Sequence, residues 1–284
     1  MGRSHPALCW VLIFSVLTPA IAAAQKVYVT IPPQAFLVEW LAGDLVQVDI
    51  LLPPGASPAT YEPTPKQMAA LDNAQAYLQI GSPFEGPILE KVAELMPELH
   101  IVDCRAGVEL EPMGGGGHDH GAGLLDPHIW LDPQRMKIIA STTAEALEAL
   151  LPDEAQGIEE RLAVLHHAID ATDTRVAAVL APFAGRTLLV FHPAYGYFTR
   201  RYGLNQMAVE VDGRAPSARR LATVVDELRH QPVPALFVQP QFSRSAAERV
   251  ANALDCKLVE LDPLAGDYLA NLEIMADRIA EGLQ

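Results

Sequence analysis

Cysteine is scarce in this chain of 284 residues, which has only three. Cys9 lies near the N-terminus, and Cys104 and Cys256 lie far apart in the sequence. No pair follows the CxxC spacing, which argues against thioredoxin-type chemistry and against a zinc site built on thiolates. Because Cys104 and Cys256 each border a short apolar segment, we interpret them as small buried side chains rather than as a disulfide.

Basic residues are also few, with 20 Lys and Arg against 35 Asp and Glu and a formal net charge of −15. An acidic surface repels nucleic acids and anionic membranes and mildly favours cations. We therefore expect no nucleic-acid partner.

Long apolar runs are absent after the N-terminal segment. The run Ala7 to Leu17 follows Arg3 and precedes the small residues Ala20 to Ala24. It is shorter than the ~20 residues of a membrane-spanning helix. This pattern is typical of a cleaved signal peptide, which we place at residues 1–24, and it predicts export to the periplasm.

The rest of the chain alternates short apolar strands with amphipathic helices, which predicts an α/β fold with mostly parallel sheets covered by helices. An uninterrupted helical pattern of close to thirty residues runs from Asp153 to Ala181 and separates two such stretches. The sequence predicts two lobes, each a mostly parallel sheet flanked by helices, joined by this one long backbone helix. The predicted boundaries are 25–151 for the N-terminal lobe, 152–182 for the linking helix and 183–284 for the C-terminal lobe.

Three potential metal ligands stand at or near predicted strand ends. His128 lies in a proline-rich turn, His192 follows the strand TLLVF, and Asp262 follows the strand KLVEL. Since the carboxyl ends of parallel strands line the ligand crevice of open α/β sheets, these side chains are expected to converge there. Two imidazoles and a carboxylate suit Zn²⁺, Mn²⁺ or Fe²⁺. Glu210 and Asp212 are lower-ranked residues of the same crevice.

A glycine-rich stretch, residues 114–123, carries His118 and His120 on either side of an aspartate. Flexible histidine tracts bind metals loosely. Two readings stay open: the loop passes metal inward, or it is a solvated loop with incidental histidines.

Several segments together resemble one known family. They are YEPTPKQM (61–68), IGSPFE (80–85), DPHIWLDP (126–133), FHPAYGYF (191–198), FVQPQFS (237–243) and LDPLAGDYLANL (261–272). In this order they are similar to the zinc/manganese solute-binding proteins of ABC importers. The resemblance implies two α/β lobes bridged by a rigid helix, with a metal ion bound between the lobes.

The resemblance also implies ligands. His128 and His192 match two family histidines and Asp262 matches the C-terminal acidic ligand, whereas the position of the third family histidine is Ala59. The fourth ligand is then expected to be water, Glu62, or one of His118 and His120. A histidine at 192, where manganese-specific relatives tend to carry a carboxylate, favours zinc over manganese.

The expected partners are the importer's permease and its ATPase, and the chain is expected to be a monomer and not an enzyme. Two alternatives of other classes remain. A binding protein for a metal chelate would not need direct ligands. A zinc hydrolase would use the open coordination place for water, with Glu62 as base, but neither HExxH nor a nucleophile elbow is present.

Overall fold

Two four-stranded parallel sheets form the framework, one before and one after a long helix. The structure, a computed structural model, describes residues 25–114, 125–210, 216–228 and 233–284. The expected signal peptide, His118, His120 and Asp212 lie outside the described residues.

The first sheet has the order β2-β1-β3-β4, with every neighbouring pair parallel. Its strands are β1 (Gln25–Val29), β2 (Val46–Ile50), β3 (Ala76–Gln79) and β4 (His100–Asp103), connected through α1 (Pro32–Ala42), α2 (Pro65–Ala70) and α3 (Glu85–Leu95). Helix α2 begins at Pro65, because Thr64 caps its first turn and a proline is favoured at the first helical position.

The second sheet repeats this topology, with the order β6-β5-β7-β8 and parallel pairing throughout. Its elements are β5 (Thr187–Val190), α6 (Gly196–Arg201), β6 (Asn205–Ala208), α7 (Ala218–Glu227), β7 (Ala235–Val238), α8 (Arg244–Leu254), β8 (Lys257–Glu260) and α9 (Tyr268–Leu283). The apolar pattern MAVEV (207–211) predicts a strand at this point. The strand begins two residues earlier because Asn205 pairs with Thr187 at the sheet edge, where polar residues are tolerated.

The long helix is α5 (Ala155–Leu180), whose 26 residues span about 39 Å at 1.5 Å per residue. It follows α4 (Pro133–Leu150) and packs against α4, α9 and α1. One apolar core includes residues of both sheets, α5 and α9. The predicted two-sheet α/β architecture with a long central helix is confirmed.

Hydrogen bonds tie the turn after residue 126 to the loop after β8. The indole Nε1 of Trp130 donates to the Pro263 carbonyl at 2.8 Å, and the Tyr268 hydroxyl donates to the Trp130 carbonyl at 2.8 Å. Trp130 is 1% exposed. These bonds hold the loops that carry His128 and Asp262 against each other.

Two further observations concern the chain as a whole. Cys104 is buried, Cys256 is half-buried, and both thiols are free. Within the part of the chain that the structure describes, no helix combines the length and apolar character needed to cross a bilayer.

Candidate metal centre

Two histidines meet between the sheets. His128 precedes a single turn of 3-10 helix, Ile129–Leu131, and His192 follows β5 by two residues. Their ring centroids are 5.5 Å apart with the ring planes at 74°. Each residue is 7% exposed. The structure therefore brings together two of the residues that the sequence singles out, from opposite sides of α5 in the chain.

A buried carboxylate orients each ring. Asp126 Oδ1 lies 2.7 Å from His128 Nδ1 and also accepts the His128 backbone N–H at 3.0 Å. Glu210 Oε1 lies 2.7 Å from His192 Nδ1. Because an ionised carboxylate only accepts, each Nδ1 carries the proton, and the lone pair resides on Nε2. Among the described residues neither Nε2 has a hydrogen-bond partner, so both are available as metal ligands.

The surroundings of the histidine pair favour a cation. Asp126 and Glu210 are 0% and 3% exposed, and Asp126 Oδ2 and Glu210 Oε2 have no hydrogen-bond partner in the described structure. Unpaired carboxylate oxygens in a buried position are costly unless positive charge lies nearby. Two such carboxylates match the charge of one divalent ion.

The cavity beside the rings is small, about 20 Å³. This is little more than the space that one water molecule occupies. Its walls include Ser57 and Pro58 of the first lobe and Gln241 and Phe242 of the second. Phe242 stacks on His192 with ring centroids 5.1 Å apart. The site fits a single ion and excludes a bulky ligand.

Burial lowers the pKa of His192, and the hydrogen bond with Glu210 offsets this only in part. The neighbouring His128 lowers the pKa of His192 further. The His192 ring consequently stays neutral, and competent to bind metal, to a lower pH than a free imidazole.

Asp262 lies close by but faces a different cavity. Its Oδ1 accepts Gln241 Nε2 at 2.9 Å and the Leu264 backbone N–H at 3.0 Å. It lines a neighbouring cavity of about 310 Å³ between the loops 53–56 and 262–266. Gln241 and Leu264 separate the two cavities, since both residues line each of them.

The remaining predicted ligands are not found at the histidine pair. Glu62 is exposed and lines neither cavity. Ala59 is also exposed, although its neighbours Ser57 and Pro58 line the small cavity. His118 and His120 lie outside the described residues. Across the four described ranges no group of three or more His, Cys, Asp or Glu side chains is arranged to hold a metal. An ion at the pair therefore requires water or a side-chain movement to complete its coordination.

Sequence reasoning passed over three residues that shape the site. Asp126 precedes His128 by two residues, a spacing at which an aspartate commonly accepts the backbone N–H. Gln239 and Gln241 follow the carboxyl end of β7, and Gln239 Nε2 donates to the His192 carbonyl at 2.9 Å. The strand-end rule that singled out His192, applied to β7 as well, would have found both glutamines.

The fold and the site together define a class of protein: a two-lobed receptor on a helical backbone with an ion-sized site between its lobes. The family model of the periplasmic zinc-uptake complex component A (ZnuA) matches residues 27–282. The chain belongs to this family of solute-binding receptors, as its motifs predicted.

Individual relatives agree with this membership. The high-affinity zinc uptake system protein ZnuA of Paracoccus denitrificans is 31% identical over an alignment of 307 positions, which covers 93% of this chain and 94% of the relative. The protein of the same name from Yersinia pestis is 27% identical over 270 residues, covering 85% and 84%. A crystal structure of ZnuA is 36% identical with a TM-score of 0.85 and covers 92% of this chain and 100% of its own.

Proposed function

We propose that this chain captures one zinc ion at His128 and His192 outside the cytoplasm and delivers it to the permease of an ABC importer. The observation that carries the proposal is the histidine pair itself, with both Nδ1 atoms bound to buried carboxylates and both Nε2 atoms available. The relatives named for zinc uptake support this choice of cargo.

Zinc is favoured over manganese by the ligand chemistry. Imidazole nitrogen suits zinc, whereas manganese prefers carboxylate and water oxygens. Both carboxylates nearest the pair, Asp126 and Glu210, are hydrogen-bonded to the rings. They act on the ion through the imidazoles, so the atom that each member of the pair presents to the ion is a nitrogen.

The other two classes of function have less support. A metal chelate needs a roomy pocket, but the cavity at the histidines is about 20 Å³. A hydrolase needs a base beside the open coordination place, but Glu62 is exposed and lies outside this cavity. We accordingly assign the chain a receptor role and no catalytic one.

Asp262 is the proposed third ligand, and it must turn from Gln241 to reach the ion. Water completes the coordination where relatives have a histidine in place of Ala59. In this proposal the signal peptide at 1–24 directs export to the periplasm, where the monomeric receptor meets the permease and ATPase complex. The lobes share one core, so metal binding is expected to change loops near the site rather than to swing the lobes apart.

The proposal is tested by metal analysis of the exported protein purified without chelator. We expect one zinc ion per chain, retained in competition with excess manganese. The proposal would be contradicted if the protein retained no zinc after dialysis against a zinc solution, or if its bound zinc exchanged readily for manganese. Retention of a chelate-bound metal in preference to the free ion would favour the chelate receptor.

The carboxylate behind His192 gives a first prediction. Glu210→Gln keeps an acceptor for Nδ1 but removes the negative charge, so zinc affinity should fall by ~10–100-fold. Glu281→Gln on the exposed face of α9 is the matched control and should leave the affinity unchanged. Competition titration with a chromophoric chelator measures both. Equal zinc affinities for the two variants would mean that Glu210 does not contribute to zinc binding.

The pH dependence of binding gives a second prediction. Only neutral imidazole ligates, and the pKa of His192 lies below its ordinary value. Because the pKa is lowered, protons should compete with zinc for the His192 ring only at a pH below the range in which a free imidazole becomes protonated. We expect the affinity to be nearly constant between about pH 7.5 and 6.5 and to fall at lower pH. A steep fall in zinc affinity above about pH 6.5 would contradict this prediction.

A further inference from the structure

Asp262 Oδ1 and the Asp262 carbonyl are hydrogen-bonded away from the histidine pair. Oδ1 receives two donors, Gln241 Nε2 at 2.9 Å and Leu264 N at 3.0 Å. The Asp262 carbonyl accepts the side-chain amide of Asn271 at 2.8 Å, which anchors the backbone of this residue. Movement of the carboxylate is therefore a side-chain rotation about a fixed backbone position.

Both donors to the carboxylate border the ion site, but Gln241 is the one that donates through its side chain, whereas Leu264 donates through its backbone N–H. Gln241 lines both the 20 Å³ cavity at the histidines and the 310 Å³ cavity that Asp262 faces. The residues that follow Asp262, Pro263 and Leu264, line the histidine cavity too. The carboxylate thus lies one residue from that cavity, with Gln241 at the wall between them.

The histidine cavity does not depend on Asp262 for charge. Asp126 and Glu210 are buried behind the rings, each with one oxygen lacking a partner in the described structure. Their two negative charges offset those of a divalent ion. Asp262 can consequently remain with Gln241 without leaving the bound ion uncompensated, and its recruitment adds a hard oxygen ligand to a nitrogen site.

We propose that Gln241 is a positioning residue that withholds Asp262 from the ion and thereby sets both the strength and the metal selectivity of the site. This inference rests on the proposed zinc-binding function. The carboxylate must turn from Gln241 to coordinate an ion, which breaks a hydrogen bond to a charged group. Since an ion can also bind at the imidazoles without Asp262, this cost lowers affinity most for the ion that depends most on the carboxylate, and manganese does so because it prefers oxygen ligands. Gln241 in this way favours zinc and keeps it releasable to the permease.

The test removes the donor without changing side-chain length. Gln241→Met should raise zinc affinity by about tenfold, the size expected for freeing one charged acceptor, and manganese affinity by more. In an Asp262→Asn background the same substitution should change neither affinity, because no carboxylate remains to recruit. Gln241→Leu is a second variant, and Gln156→Leu on the exposed face of α5 is the control.

A spectroscopic readout separates positioning from a general effect on folding. Cobalt-loaded Gln241→Met should show altered d–d absorption relative to the unmodified chain, because Asp262 now coordinates the ion. The double variant Gln241→Met with Asp262→Asn should show the same spectrum as Asp262→Asn alone. Unchanged or reduced affinity in Gln241→Met, or an equal gain in both backgrounds, would overturn the inference and leave zinc binding intact. Absence of zinc binding in the unmodified chain would instead overturn the proposed function, and this inference with it.

Discussion

Replacing His192 by alanine is expected to lower zinc affinity by about 100- to 1000-fold. Structural zinc sites with four ligands bind with ~10–16 kcal/mol, so one ligand accounts for roughly 2.5–4 kcal/mol. Among the described residues, His192 and His128 are the two imidazoles that line the cavity, and no group of three or more potential ligands is arranged there to replace one of them. The dissociation constant is measured by competition with a chelator of known zinc affinity.

The controls for this prediction come from the chain itself. His167→Ala, at an exposed position on α5, removes the same side chain and should leave affinity unchanged. Because His192→Ala also leaves the buried Glu210 carboxylate without its partner, His192→Asn is made in parallel. Asparagine can donate near the Nδ1 position but has no atom at Nε2. Wild-type affinity in His192→Asn would mean that Nε2 is not a ligand.

Replacing Trp130 by alanine is expected to lower the free energy of unfolding by about 3–5 kcal/mol. The indole is 1% exposed and lies within the core that both sheets share. Truncation leaves a cavity and removes the bond from Nε1 to the Pro263 carbonyl. Since domains of this kind are stable by only about 5–15 kcal/mol, the loss is a large part of the total. Urea unfolding followed by circular dichroism measures it.

Trp130→Phe separates the two contributions. The phenyl ring keeps most of the apolar contact and lacks the N–H, so about 1 kcal/mol of stability should be lost. A loss as large as that of Trp130→Ala would assign the effect to the hydrogen bond rather than to packing. A loss below 1 kcal/mol in the alanine variant would show that the core between the lobes is not continuous in solution.

Most of the framework was predictable because its signals are local. The apolar segment TLLV forms β5, and the long helical pattern before Pro182 forms α5. Thr64 likewise caps α2 through a hydrogen bond within its own first turn. His192 is identifiable for a related reason, since a residue beside a parallel strand end inherits its position from the sheet, whereas His128 is identified by the motif DPHIWLDP. Their pairing at 5.5 Å agrees with that expectation.

Other features depend on contacts between residues distant in the chain. The partner of His192 is Glu210, 18 residues later, and Gln241 reaches Asp262 across 21 residues. No periodicity encodes which distant acidic side chain hydrogen-bonds to the His192 ring, and the sequence therefore ranks Glu210 below Asp262. Likewise the turn after Pro54 brings Ser57 and Pro58 to the cavity and leaves Ala59 and Glu62 exposed.

The amino-acid sequence by itself determined the alternating strands and helices, the long α5, the family and the two imidazoles, because each follows from local patterning or from a motif of adjacent residues. Only the tertiary structure decided how the His192 ring is oriented, how small the space beside the two imidazoles is, and that Asp262 is held by Gln241. Side-chain hydrogen bonds across 18 to 133 residues make these choices, and their geometry exists only once both lobes have packed around their common core.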